Sequence, residues 1–199
     1  MRKSIVVAAV AAFAASSGLS AQGAAPRAAA VFAGGCFWCT ESDFDKIPGV
    51  ISTTSGFTGG RLVNPTYERV SAGGTGHIES VRVVYDPTKV TYAQLASRFI
   101  RTVDPTDAGG SFCDRGDTYR TAFFVANPAE RRVADAVKAD AQRKLGKPVA
   151  TLVLPATRFY PAEGYHQDYY KKNPIRYRFY RYNCGRDARL KELWGASSH

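Results

Sequence analysis

The residues best suited to chemistry lie in the stretch 34–39, whose sequence is GGCFWC. An apolar, strand-like run precedes this stretch, and a helical pattern follows it and ends at Pro48 and Gly49. Cys36 is therefore predicted at the point where a strand turns into a helix. The unpaired N–H groups of a first helical turn favour a thiolate, so we expect Cys36 to have a lowered pKa and to be reactive. A buried turn of Gly, Cys and aromatic residues without chemistry is the alternative.

A second candidate for chemistry is Glu79, which lies in a stretch of alternating apolar residues. If residues 77–85 form a strand, Val81 and Val83 share the face of Glu79. A carboxylate on an apolar face is costly as an anion, so its pKa should be raised and its proton retained. Glu79 is then a candidate general acid. A position facing water at the edge of the sheet is the alternative.

The cysteines leave several pairings open. The chain contains Cys36, Cys39, Cys113 and Cys184. In an exported protein they could form two structural disulfides, in three possible combinations. The spacing of Cys36 and Cys39 is instead typical of a redox pair. We expect no metal site, because a zinc site would need a second close pair, even with His77 and His166 as further ligands.

The N-terminal residues have the pattern of a secretory signal peptide over 1–21. A charged start is followed by an apolar run over 5–15 and by small residues as far as Ala21. That run is too short to span a bilayer comfortably. We predict cleavage near Ala21, a linker over 22–30, and a mature protein that is periplasmic or extracellular and not attached to a membrane. An uncleaved anchor is the alternative.

The remaining pattern predicts one α+β domain. Predicted strands cover 50–57, 77–85, 119–125 and 149–154, and predicted helices cover 92–102 and 129–145. Between them, the loop 104–117 is long enough to indicate a function. We expect a two-layer α/β sandwich with a mixed sheet, a long coil-rich C-terminal segment and a monomeric state.

The net charge of +10 raises the question of a nucleic-acid partner. Without Arg2 and Lys3 of the signal peptide it is about +8. Basic and aromatic residues alternate over 169–182, a pattern that could bind bases and phosphates. Export argues against this, and Lys and Arg side chains commonly cover aromatic surface. We therefore expect no nucleic-acid partner.

Several motifs, in order over residues 31–174, resemble those of the A-type peptide methionine sulfoxide reductases. They are GGCFW at 34–38, PGV at 48–50, GFTGG at 56–60, NPTY at 64–67, GHIESV at 76–81, Asp114 with Tyr119 and Arg120, and His166 with Gln167. The resemblance implies a catalytic domain over 31–182 and a C-terminal tail over 183–199 that carries Cys184.

The resemblance also implies a reaction and a role for each residue. Cys36 would attack the sulfur of the S epimer of methionine sulfoxide, free or in oxidised proteins, while Glu79 protonates its oxygen. Methionine then leaves, and Cys36 remains as a sulfenic acid. The remaining roles are hydrogen bonds to the oxygen from Tyr67 and Tyr119, an apolar box for the methyl group from Phe37 and Trp38, and positioning by Asp114 and His166.

A second thiol must then form a disulfide with Cys36, which a thioredoxin-like donor reduces without any bound cofactor. Many family members have Gly at the position of Cys39 and resolving cysteines in the tail. We therefore favour Cys184 as the resolving cysteine and keep Cys39 as the alternative, with Cys113 free or structural. The competing function is that of a Cys-x-x-Cys thiol-disulfide oxidoreductase, which would not require Glu79.

Overall fold

The computed structural model describes residues 26–195. The predicted signal peptide, the first part of the predicted linker and residues 196–199 lie outside the described residues. Within 26–195, none of the helices combines the length and the apolar character that crossing a membrane would require.

Strands and helices alternate in the first part of the described chain, and three consecutive helices end it. The strands are β1 (Ala28–Gly34), β2 (Val50–Thr58), β3 (Ile78–Tyr85), β4 (Gly110–Ser111), β5 (Asp114–Arg115), β6 (Thr121–Val125), β7 (Leu152–Pro155) and β8 (Tyr160–Pro161). The α-helices are α1 (Phe37–Phe44), α2 (Tyr67–Ser71), α3 (Tyr92–Phe99), α4 (Pro128–Leu145), α5 (Tyr169–Lys172), α6 (Pro174–Asn183) and α7 (Arg186–Trp194). Two 3-10 helices cover Ile100–Thr102 and Asp117–Tyr119.

Six of the strands form one mixed sheet in the order β7-β6-β1-β3-β2-β8. The pairs β1 with β3, β1 with β6, β2 with β3 and β2 with β8 are antiparallel, whereas β6 and β7 are parallel. β4 and β5 form a separate hairpin. The predicted mixed sheet is thus confirmed.

The larger core lies between one face of the sheet and the helices. Phe32 and Phe123 point to this face and pack with Phe99 of α3, while Ala134 of α4 is buried in the same cluster. The other face carries a smaller cluster that includes Phe124. Strand alternation therefore separates the two faces, and the predicted two-layer arrangement is confirmed.

Side chains and a glycine fix several helix ends. Thr91 and Gln94 form the capping box of α3, and Asn127 caps α4, which ends at Gly146 in the left-handed conformation. The loop 104–117 contains the β4–β5 hairpin, a feature that its Gly and Asp content did not reveal.

Two predictions near the chain ends were wrong. β1 begins at Ala28, so the end of the predicted linker 22–30 is part of the sheet and pairs with Tyr85. The C-terminal segment predicted to be rich in coil is largely helical from residue 169, with α5, α6 and α7, and Leu190 of α7 is buried, because tertiary packing supplies the apolar partners that its short sequence lacks.

Candidate active site

Cys36 lies between the end of β1 and the start of α1, as predicted. Gly35 turns the chain there with φ of 80°, and Cys36 is the N-cap residue of α1. A Cβ atom at residue 35 would lie 2.3 Å from Cβ of Ser111, so both the dihedral angle and the space require glycine. The Cys36 carbonyl oxygen accepts the N–H groups of Cys39 and Thr40, each at 3.2 Å, which starts the helix.

A small cavity brings most of the predicted residues together. Its lining residues are Cys36, Phe37, Trp38, Tyr67, Glu79, Asp114, Tyr119 and Tyr180. They come from α1, α2, β3, the β4–β5 hairpin, the second 3-10 helix and α6. Sequence reasoning identified all of them except Tyr180.

Glu79 is buried on the helical face of the sheet, with 2% of its surface exposed. Its register neighbour on β2 is Phe57, and the backbone N–H of Phe37 donates to Oε2 of Glu79 at 3.0 Å. Burial raises the pKa of Glu79 to about 8, although the Phe37 hydrogen bond partly opposes this shift. Glu79 is therefore mainly protonated at neutral pH, as a general acid must be.

Cys36 does not have the lowered pKa that its position at a helix start predicted. Burial raises the pKa of its thiol well above the usual range, and the hydrogen bond to Cys39 adds to the shift. The same hydrogen bond lowers the pKa of Cys39 to about 7, with further help from Arg186 and Arg181. Burial of the Cys36 thiol thus outweighs the helix start in its effect on the pKa.

Trp38 forms an aromatic wall whose orientation is set by three neighbours. Its ring stacks on Tyr169 with 3.7 Å between centroids and meets Tyr180 edge-on. Its indole Nε1 donates to Nδ1 of His166 at 3.1 Å. His166 is 1% exposed and does not line the cavity, so it acts on the site by fixing Trp38.

Tyr67 and Tyr119 lie on the side of the cavity near Glu79. Tyr67 is the first residue of α2, and its backbone N–H donates to Oε1 of Glu163 at 2.9 Å. Burial and the nearby Glu79 raise the pKa of both phenols, so the hydroxyl groups stay protonated and able to donate.

The two other cysteines form a disulfide with each other. Cys113 is bonded to Cys184, while Cys36 and Cys39 are free thiols. The disulfide joins segments next to the cavity, since Tyr180 donates a short hydrogen bond to Oδ2 of Asp114. The prediction that Cys184 resolves the sulfenic acid is not tested by this arrangement.

A comparison with protein families places this site in a known context. The model of the family described as peptide methionine sulfoxide reductase matches residues 28–198. The chain belongs to this family. A reductase of Rhizobium meliloti, named peptide methionine sulfoxide reductase MsrA 2, is 52% identical over 177 residues, covering 89% of this chain and 88% of that protein. The protein of Bacillus licheniformis named peptide methionine sulfoxide reductase MsrA is 47% identical over 175 residues, covering 85% of this chain and 94% of that protein.

Solved structures of methionine sulfoxide reductases have the same fold. The reduced form of Mxr1 from Saccharomyces cerevisiae aligns with a TM-score of 0.71 and 32% identity, covering 75% of this chain and 87% of that one. Methionine sulfoxide reductase A of Corynebacterium diphtheriae aligns with a TM-score of 0.68 and 34% identity, covering 77% of this chain and 78% of that one. The predicted family, fold and activity are confirmed: this reductase converts methionine sulfoxide to methionine.

Two residues of the reductase site were missed from the sequence. Tyr180 lines the cavity, and Arg186, 2% exposed, donates to the carbonyl oxygens of Gly34 at 3.3 Å and Thr102 at 2.6 Å. Tyr180 lies in the basic and aromatic stretch 169–182, whose pattern indicated only a covered aromatic surface, and Arg186 lies just beyond that stretch. The sequence offered one signal for Tyr180: it lies one helical turn before Cys184.

Proposed function

We propose that this reductase acts on the S epimer of methionine sulfoxide, with Cys36 as the nucleophile and Glu79 as the general acid. The observation that carries this proposal is that a buried thiol and a protonated carboxyl group line the same small cavity. A sulfoxide oxygen is a poor leaving group until it is protonated. A neutral carboxylic acid beside a cysteine supplies both the proton and the nucleophile.

Cys39 can activate Cys36 by accepting its proton. The Cys36 thiol and the more acidic Cys39 share a hydrogen bond, so moving one proton converts Cys36 to the thiolate and Cys39 to the thiol. The Cys36 thiolate then attacks the sulfoxide sulfur, and Glu79 gives its proton to the oxygen. Methionine is released, and the oxygen remains on Cys36 as a sulfenic acid.

The cavity is suited to the end of the methionine sulfoxide side chain. Its volume of about 60 Å³ suits a small group rather than a whole amino acid. The hydroxyl groups of Tyr67 and Tyr119 can donate to the oxygen, while Phe37 and Trp38 offer apolar surface to the methyl group. The substrate backbone would lie outside, so oxidised proteins as well as free methionine sulfoxide can bind.

Cys39 is also the resolving thiol that the geometry favours. Cys184 is bonded to Cys113, whereas Cys39 is free and hydrogen-bonded to Cys36. Condensation of the Cys39 thiol with the Cys36 sulfenic acid forms one disulfide and releases one water molecule. The choice of Cys39 differs from the sequence-based preference for Cys184.

A thioredoxin-like dithiol is the proposed electron donor. The yeast protein Mxr1 has been solved in complex with Trx2, and a dithiol of this class reduces protein disulfides by exchange. We also propose that the mature protein is exported, on the basis of the signal-peptide pattern of residues 1–21. The donor would then have to act outside the cytoplasm.

The decisive assay follows the separated S and R epimers of a blocked methionine sulfoxide in the presence of dithiothreitol. We expect the S epimer to be consumed and the R epimer to remain. The control is insulin reduction by the same protein, which a Cys-x-x-Cys oxidoreductase would catalyse without Glu79. Consumption of the R epimer alone, or insulin reduction without loss of either epimer, would refute the proposal.

A further inference from the structure

The Cys113–Cys184 disulfide lies beside the substrate cavity but takes no part in the reaction proposed above. Its two cysteines are 71 residues apart in the sequence. Cys113 lies in the turn between β4 and β5, and Cys184 directly follows α6. The disulfide therefore joins the β4–β5 hairpin covalently to the C-terminal helices.

The residues on each side of Cys113 contact the same C-terminal segment. The guanidinium carbon of Arg186 lies 4.6 Å from the ring centroid of Phe112, in a cation–π contact. Asp114 accepts the hydrogen bond from the Tyr180 hydroxyl group. Three consecutive hairpin residues thus contact the segment 180–186, and the disulfide is the middle contact of the three.

The two segments that the disulfide joins also contact the turn that carries Cys36. Arg186 donates to the Gly34 carbonyl oxygen from the C-terminal side. Ser111 donates to the same oxygen from the hairpin, at 3.5 Å. The hairpin and the C-terminal helices are therefore held together at the start of α1.

The disulfide is positioned to fix two walls of the cavity. Asp114 follows Cys113 directly, Tyr180 precedes Cys184 by one helical turn, and both line the cavity of Cys36. A covalent link between distant segments restricts the distance over which their side chains can separate. Without it, the hairpin and the C-terminal helices would be held to each other by the cation–π contact, the Tyr180 hydrogen bond and their shared contacts with the Gly34 carbonyl oxygen, which are individually weak.

We propose that the Cys113–Cys184 disulfide is a latch, which positions Asp114 and Tyr180 in the substrate cavity and stays oxidised through turnover. This proposal rests on the proposed function, because it assigns the catalytic electrons to Cys36 and Cys39. These two thiols are oxidised to one disulfide while one sulfoxide is reduced to the thioether and one water forms. The latch opens only when an external dithiol reduces it, which is feasible because Cys113 is exposed.

A stoichiometry experiment separates a latch from an electron relay. The protein is treated anaerobically with excess S epimer and no reductant, once with Cys113–Cys184 oxidised and once with all four cysteines reduced. A latch predicts one methionine per protein in both cases, with the Cys113–Cys184 link intact in the first sample by peptide mapping. Two methionines per reduced protein would overturn the latch, because the second pair would then have supplied electrons. No methionine in either sample would instead contradict the proposed function.

A second experiment tests the positioning role. In a Trp194→Phe background, the double variant Cys113→Ser/Cys184→Ser leaves Trp38 as the tryptophan that reports on the cavity. We expect one methionine per protein in a single turnover, but a rise of about tenfold in the substrate concentration that gives half the maximal rate, as for the loss of one hydrogen bond. Trp38 emission should shift, because Tyr180 packs against its ring.

The matched control is the Trp194→Phe protein with and without prior reduction of the latch. Reduction of the Trp194→Phe protein should raise the half-saturating substrate concentration and shift the Trp38 emission, as in the double variant. The same treatment should leave the double variant unaffected. A folded double variant with unchanged half-saturation and unchanged emission would overturn the latch. If the double variant does not fold, the comparison of the oxidised and reduced control proteins decides the question in the same way.

Discussion

The substitution Glu79→Gln gives the sharpest test of the proposed chemistry. Glutamine has nearly the same shape and can still accept the hydrogen bond from the Phe37 N–H, but it cannot give a proton to the sulfoxide oxygen. General acid catalysis contributes roughly 10²–10⁴-fold to a rate, so we expect the single-turnover rate of methionine formation to fall by about 10³.

The pH dependence of this effect follows from the raised pKa of about 8 at Glu79. The neutral form is the active one, so its population is about 90% at pH 7 and about 10% at pH 9. The cysteine thiols titrate as well, and the quantity to compare is therefore the ratio of native to Glu79→Gln rates at each pH. This ratio should fall by about ninefold from pH 7 to pH 9.

The assay is rapid quenching of one turnover with the S epimer, with methionine measured by chromatography. Glu41→Gln is the matched control, because Glu41 is also a buried carboxyl group on the helical side of the sheet but does not line the cavity. Its rate should follow the native rate at every pH. A Glu79→Gln rate within threefold of the native rate, or a ratio independent of pH, would refute Glu79 as the proton donor.

Three further predictions concern the thiol pair and stability. Cys39→Ser should slow the first turnover, because Cys36 loses its proton acceptor, and should then leave Cys36 as a sulfenic acid, trapped as a dimedone adduct and detected by mass spectrometry. An unchanged yield of disulfide would instead identify another resolving cysteine. Arg186→Met should lower the free energy of unfolding by about 3 kcal/mol, because two backbone carbonyl oxygens and Asp43 lose a buried cation. Urea titrations measure this change, and a value below about 1 kcal/mol would contradict the prediction. For Glu41, burial raises the folded-state pKa to about 7, so the native state binds the extra proton and stability should fall as pH rises from about 4.5 to about 7. The fall, measured by urea midpoints, should be smaller in Glu41→Gln, and an equal fall in both proteins would contradict the shift.

The sequence alone was sufficient for the features that depend on local rules. The alternation around Glu79 placed it on the apolar face of β3, because side chains of a strand point to opposite faces in turn. The glycines before Cys36 indicated the turn from β1 into α1. Ordered motifs along the chain indicated the family and, through it, most residues of the cavity.

The order of the strands and the ionisation of the cysteines depend on packing between distant segments. Sheet order was not readable, because strands that are neighbours in the sheet, such as β1 and β6, are far apart in the chain. The pKa of Cys36 was predicted in the wrong direction, since the sequence shows the helix start but not the burial or the hydrogen bond with Cys39.

What the sequence by itself determined was therefore the reactive turn, the buried carboxyl group and the family to which the chain belongs. Only the tertiary structure decided which cysteine faces which. It pairs Cys113 with Cys184, leaves Cys39 beside Cys36, and brings Tyr180 into the cavity. The physical reason is that local periodicity sets the face on which a side chain lies, whereas the contacts between faces depend on how the whole chain packs.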